Sequence, residues 1–173
     1  TFTQLNDKVE KPWELGFPME ATLLAQNEQG KKNLYKILTL SHTDYKTKEA
    51  TVTRDVINQH REGVLVGSGG HDGWLFELVR NKPIQYAENV IDFFDYVEIQ
   101  PTDVSLHLVS KNVVDSSEWI DSIWKRIYEL AKKKDKMVVA TGHVHYLDEN
   151  DGDIGVHNIL LYHQTTKTNP EDR

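Results

Sequence analysis

The sequence contains no cysteine among its 173 residues, which excludes disulfide frameworks, thiolate metal sites and cysteine nucleophiles. It also lacks an excess of positive charge, since 20 Lys and Arg stand against 27 Asp and Glu for a formal net charge of −7. No overall positive field exists that would hold a polyanion by counterion release, so direct nucleic-acid binding is not expected. Any site chemistry therefore has to come from histidines and carboxylates.

Long apolar runs and targeting signals are missing as well. The apolar runs are far shorter than the ~20 residues of a membrane span, and the first residues, Thr1-Phe2-Thr3-Gln4, lack both an initiator Met and a basic then apolar leader. Counted with Gly in place of Tyr, the apolar fraction is about 40%, below the 45–50% usual for globular chains. We expect a soluble, cytoplasmic chain with a small apolar core for its length, and we expect it to be a segment of a longer protein.

Short apolar runs that alternate with helical patterns predict an α/β fold. Four runs indicate strands: residues 21–25, 64–66, 96–100 and 137–140. Apolar residues at helical spacing predict helices between them, and the polar stretch 27–30 is expected to be a turn that separates the first strand from its helix. Right-handed crossovers between such strands predict a parallel sheet with functional groups at the carboxyl ends of the strands. Four strands are too few to close an eight-stranded barrel.

The clearest helix is predicted over residues 116–134, with Asp115 and Glu118 as its capping pair. Its apolar stripe has the right width to pack on a sheet. The residues of that stripe are Trp119, Ile120, Ile123, Trp124, Ile127, Leu130 and Ala131.

The strongest candidate for chemistry is the pair His143 and His145, directly after the last predicted strand. Residues two apart on a strand point to the same face, so the two imidazoles could coordinate one Zn or similar ion. The alternative is that both are hydrogen-bonded strand-end histidines without a metal.

Two further segments supply possible partners. Residues 67–73 form a glycine-rich segment that contains His71, at the same strand-end level as His143 and His145. The segment lacks the GxxxxGK[ST] pattern, which favours a tight turn over a phosphate loop. Glu98 is a carboxylate within an apolar strand and faces either a polar strand-end cavity or solvent, because burying it unpaired is costly. The acidic run 148–153 departs from a calcium loop and is expected to be solvated.

Six blocks of the sequence form an ordered set: residues 21–30, 32–36, 41–42, 60–63 with 66–69, 96–101 and 139–147. Together they resemble the PolC-type DNA polymerase III alpha subunit family, over about residues 20 to 173. The resemblance corresponds to the part of its PHP (polymerase and histidinol phosphatase) domain that follows an inserted proofreading exonuclease.

This resemblance implies a partial, distorted β/α barrel of the PHP type with a mostly parallel sheet, whose metal ligands come partly from earlier segments absent here. Three positions depart from the pattern of the family: Glu20 stands for His, Gly70 for Cys and Trp74 for Glu. His145 alone carries over cleanly as a ligand. His71 and His143 are either substitute ligands or signs that metal binding is no longer maintained, and we favour the second interpretation.

We therefore expect residues 1–19 to be a connecting arm after the exonuclease insertion and residues 20–173 to be the C-terminal portion of a PHP domain. Its role would be structural, within a replicative polymerase whose exonuclease and polymerase core are its partners, and the isolated chain would have no catalytic activity and no firmly bound metal. Two alternatives stay open. The chain could be a stand-alone phosphoesterase that holds Zn or Mn through His71, Glu98, His143 and His145. It could instead be an independent binding module for a protein partner that uses Trp13, Phe17 and neighbouring apolar surface, in which case the isolated chain is expected to dimerise or to pack on a partner.

Overall fold

The computed structural model describes residues 19–45 and 50–142. Residues 1–18 of the predicted arm lie outside the described residues. The same holds for Trp13, Phe17, His143, His145 and the acidic run 148–153, so what the sequence predicts for them stays a prediction. The chain divides into two compact units, residues 1–141 and residues 142–173. Everything described below belongs to the first unit, apart from Gly142.

The described residues form an alternating α/β arrangement, as the periodicity predicts. The strands are β1 (Thr22–Ala25), β2 (Val64–Gly67), β3 (Tyr96–Ile99) and β4 (Met137–Ala140). The α-helices are α1 (Glu28–His42), α2 (Arg54–Gln59), α3 (Trp74–Asn81), α4 (Ile84–Glu88), α5 (His107–Ser110) and α6 (Ser117–Lys133). Two short 3-10 helices flank β3, at Ile91–Phe93 and Thr102–Ser105.

The four strands form one mixed sheet in the order β1-β2-β3-β4. β3 is parallel to both β2 and β4, whereas β1 runs antiparallel to β2, with Thr22 opposite Gly67 and Ala25 opposite Val64. The expectation of a mostly parallel sheet is confirmed. The prediction of parallel neighbours from the crossover rule does not hold for β1. The crossover rule concerns connections that return the chain to the end of the sheet where the previous strand began, so that the next strand runs parallel. The connection from β1 to β2 contains α1 and α2, and the chain enters β2 at the end of the sheet where β1 finishes.

The start of α1 also corrects the prediction from the sequence. Asn27 caps the helix, because its Oδ1 accepts a hydrogen bond from the Gly30 N–H at 2.8 Å. Glu28 and Gly30 are therefore helical rather than part of a turn. Glycine is needed at position 30 because a Cβ there would lie 1.8 Å from the backbone oxygen of Gly63.

The core lies between the sheet and the helices α3 and α6. Val66 of β2 and Val97 of β3 are fully buried, and the rings of Phe76 and Trp124 pack with centroids 4.7 Å apart. Of the predicted α6 stripe, six residues are buried and one, Trp119, is 41% exposed. The helix cap is Ser116 rather than Asp115, since the Ser116 Oγ accepts from the Trp119 N–H at 3.3 Å.

Candidate functional site

The glycine-rich turn between β2 and α3 is held closed by its own backbone. The Gly73 N–H donates to the Gly70 carbonyl at 2.9 Å, and the Glu20 N–H donates to the Asp72 carbonyl at 3.0 Å. Gly69 has φ +72, and a Cβ on it would lie 2.7 Å from the Glu20 carbonyl oxygen. These contacts agree with a tight strand-to-helix turn, because backbone groups that a phosphate loop would offer to a ligand are used within the protein.

His71 is buried at the end of this turn and is bound to the residue that follows β3. Its backbone N–H and its ring Nδ1 both lie 3.1 Å from Gln100 Oε1. An amide oxygen only accepts hydrogen bonds, so Nδ1 carries a proton in this arrangement. The other ring nitrogen, Nε2, lies 3.2 Å from Asp72 Oδ2. Both ring nitrogens of His71 thus face side chains of this chain.

Gly70 is what allows Gln100 to take this position. A Cβ on Gly70 would lie 2.4 Å from both Gln100 Nε2 and Gln100 Oε1. The amide therefore occupies the space where the resemblance implies a cysteine side chain.

His107 of α5 adds a second imidazole that the sequence reasoning missed. Its ring meets that of His71 edge to face, with centroids 4.8 Å apart, and its Nδ1 lies 3.2 Å from the Val104 carbonyl oxygen. No motif marks it, because the contact depends on how the chain turns after Pro101. Gln100 was also not identified as a site residue from the sequence, although it lies within the block of residues 96–101 that carries part of the resemblance.

Glu98 is buried beside Tyr96 on one face of β3, where both side chains lie against Gly67 of β2. A Cβ on Gly67 would lie 2.4 Å from Glu98 Oε1 and 2.4 Å from Tyr96 Cζ. Glu98 is 7% exposed, and its Oε1 is buried without a hydrogen-bond partner among the described residues. Burial, followed by the negative charge of Glu98, raises the pKa of Tyr96 to about 12. Of the two sequence-based interpretations, exposure of Glu98 to solvent is wrong, because the neighbouring strand covers the carboxylate.

The backbone of Glu98 is tied to the same turn as His71. Its N–H donates to Ser68 Oγ at 2.9 Å. Ser68 is 1% exposed. The turn after β2 therefore contacts both β3 itself and the residues that follow it.

The other two departures from the family pattern also have structural roles. Glu20 forms a parallel bridge with Gly73 that joins the chain before β1 to the turn. Trp74 is the first residue of α3. The Arg54 Cζ lies 4.9 Å from the centroid of its ring, and the ring packs edge to face on Phe94. Position 74 thus contributes packing where the resemblance implies a carboxylate.

The described residues contain no complete metal centre of the kind that the resemblance implies. Within residues 19–45 and 50–142, no group of three or more His, Asp or Glu side chains is placed to hold an ion. The Nδ1 of His71 is bound to Gln100, and its Nε2 faces the Asp72 carboxylate. Of the four candidate ligands, His143 and His145 lie outside the described residues, and the described pair, His71 and Glu98, does not form such a group.

None of the helices in the described part of the chain is both long enough and apolar enough to span a bilayer.

Comparison with known proteins gives a consistent result. Residues 5–102 match the PHP domain family. The chain is 42% identical over 134 residues to a DNA polymerase III PolC-type of Oceanobacillus iheyensis, 40% over 149 residues to one of Halalkalibacterium halodurans, and 40% over 134 residues to one of Bacillus subtilis. These alignments cover 78%, 86% and 78% of this chain, but 9%, 10% and 9% of the respective relatives. The chain thus spans about a tenth of the length of the curated relatives it matches.

Proposed function

The chain belongs to the PHP domain family, and we propose that it serves as a structural and interaction segment of a replicative DNA polymerase of the PolC type. The observation that carries this proposal is the match to PolC-type polymerases over most of this chain and only a small part of theirs. The remainder of such a polymerase, its exonuclease and polymerase core, would be the partner of the segment. Its location would be the cytoplasm, where such an enzyme works.

The described residues support a structural role in two ways. α3 and α6 form a packed apolar core against β2 and β3, and Gln100 and Ser68 connect the turn after β2 to β3 and to the residue that follows it. The net charge of −7 fits a segment that lies beside the DNA machinery without gripping DNA itself.

Two expectations about the chain in isolation belong to this proposal. We expect no stoichiometric metal, with His71, Glu98, His143 and His145 as the remnant of a site, although Zn or Mn remains the ion to test. We also expect self-association, because the described sheet is open and exposes Leu24 of β1 and Met137 of β4 at its two edges.

The comparisons do not favour the stand-alone phosphoesterase. In that alternative a metal would lower the pKa of a bound water to near 7 and supply a hydroxide nucleophile. The purified chain should show no turnover of a phosphomonoester with added Mn or Zn. Robust hydrolysis that is abolished by His145→Ala would favour the phosphoesterase instead.

The native reading frame tests the main proposal most directly. We expect a long frame, with exonuclease acidic motifs upstream of this segment and polymerase motifs downstream. A natural frame of about 173 residues that begins near Thr1 would rule the proposal out.

The metal expectation needs its own experiment. Elemental analysis after metal-free purification, followed by back-titration with zinc, should show no stoichiometric ion. One ion per chain, bound at sub-micromolar affinity and lost in the His143→Ala, His145→Ala double variant, would contradict this expectation.

A structural role also predicts how variants behave in the parent polymerase. Ile123→Asp places a charge in the core, because Ile123 is fully buried. It should lower the yield of soluble enzyme and its melting temperature. The matched change Leu38→Asp, at a residue 45% exposed on α1, should leave both measurements near those of the unmodified enzyme.

A further inference from the structure

We propose that Gly70 and Gln100 act as a coupled pair that positions His71, so that the residue at position 70 decides whether the backbone N–H and the ring Nδ1 of this histidine are bound to Gln100. Gln100 is a positioning residue in this proposal. It accepts from both the backbone N–H and the ring Nδ1 of His71 through one oxygen, at 3.1 Å each. A single amide thereby joins the turn after β2 to the end of β3.

The Gln100 amide occupies the space above Gly70. Any Cβ at that position would lie 2.4 Å from the nitrogen and oxygen of the Gln100 amide and 2.5 Å from its Cδ. Atoms cannot approach this closely, and the amide is the flexible end of its side chain. A side chain at position 70 would therefore displace the amide before it displaced the backbone, and both bonds to His71 would be lost together.

The chemical consequence concerns the ring of His71. With Gln100 in place, Nδ1 donates to the amide while Nε2 lies 3.2 Å from Asp72 Oδ2. Nδ1 then offers no lone pair to an ion, and an ion at Nε2 would have to separate that nitrogen from Asp72 Oδ2. This arrangement, which the glycine at position 70 allows, opposes metal binding at His71.

Hydrogen exchange at the His71 backbone N–H provides the first readout. Gln100→Ala should raise the exchange rate by about 2- to 10-fold, the range expected for the loss of one hydrogen bond. Gln100→Glu retains an acceptor oxygen at the same reach and should preserve most of the protection. Gln85→Ala, which truncates an exposed glutamine on α4, is the matched control and should have no effect at His71.

The steric coupling is tested by Gly70→Ala. This variant should reproduce the faster exchange of Gln100→Ala even though Gln100 is present. The Gly70→Ala, Gln100→Ala double variant should exchange no faster than either single variant, because both changes remove the same bond. Wild-type protection in Gly70→Ala, or additive effects in the double variant, would overturn the proposal.

A spectroscopic signature separates positioning of the ring from general destabilisation. In the wild-type chain the ¹⁵N shifts of His71 should show a protonated Nδ1, and one equivalent of zinc should leave these signals unmoved. In Gly70→Ala and Gln100→Ala the Nδ1 signal should change, while that of His60 should not, because its own Nδ1 lies 3.0 Å from the Val56 carbonyl oxygen. A wild-type chain whose His71 signals shift with stoichiometric zinc would contradict the inference.

Discussion

Helix α6 and the turn after β2 are stabilised by different kinds of contact. α6 is held by an apolar stripe whose spacing is visible in the local sequence, and the side chains of Ile120, Ile123 and Ile127 are 0 to 1% exposed. The turn is held by polar contacts between residues about 30 positions apart, from Ser68 and His71 to Glu98 and Gln100. The comparison indicates that the helix follows from the local sequence pattern, whereas the strand-end site depends on how distant segments meet.

The largest expected effect tests the helix side of this comparison. Ile123→Ala should lower the free energy of unfolding by about 2–5 kcal/mol, because it removes buried methyl groups and leaves a cavity in a core that relaxes only partly. Leu38→Ala, on the exposed face of α1, is the matched control and should cost much less. Chemical denaturation of the two variants measures the difference. If the two variants lost the same free energy of unfolding, the α6 stripe would not be a main contributor to the stability of the core.

The next prediction tests the strand-end side. Gly67→Ala should cost about 1–3 kcal/mol of unfolding free energy, since its Cβ would overlap the Tyr96 ring and the Glu98 carboxylate. Part of this cost should disappear when the change is made in a Tyr96→Ala background, because the ring is then absent while the overlap with the Glu98 carboxylate remains. A cost that is the same in both backgrounds would show that the effect does not arise from this contact.

The pH dependence of stability sharpens the same comparison. The pKa of Tyr96 is raised to about 12 in the folded chain, from about 10 for an unperturbed tyrosine. The folded state thus holds the phenolic proton more tightly than the unfolded state. Its contribution to stability is complete below pH 10 and is lost as the pH rises from 10 to about 12.

Denaturation at pH 9 and pH 11 can detect this contribution. Tyr96→Phe should lose less stability between the two pH values than the wild-type chain does. Tyr86→Phe, at a tyrosine 56% exposed, should retain the wild-type pH dependence. The interpretation fails if the two variants have the same dependence.

Several particular residues show how far the sequence could predict this structure. The strands and the helices after β2 follow from apolar periodicity, which reports burial on one face of an element. The same pattern does not report chain direction, so the antiparallel pairing of β1 was missed. It also does not report where a stripe ends, so Trp119 was assigned to the core although it is 41% exposed.

The candidate site was less predictable than the fold for a related reason. His71 and Glu98 were singled out by residue type, and both are buried. Their partners could not be identified, because Gln100 and Ser68 are ordinary polar residues that gain their roles only when the strands align. His107 reaches His71 through the turns that follow β3, and no spacing rule marks that contact.

The smallest predicted effect concerns the start of α6, where the local signal was read one residue too early. The Ser116 Oγ accepts from the Trp119 N–H and satisfies one of the free amides of the first turn. Ser116→Ala should therefore cost about 1 kcal/mol of unfolding free energy, the usual value for the loss of an N-cap. Asp115→Ala removes the cap that the sequence favoured and should cost less than half as much. If thermal and chemical denaturation instead show the larger loss for Asp115→Ala, the helix begins where the sequence pattern alone placed it, and local signals define α6 more completely than the structure indicates.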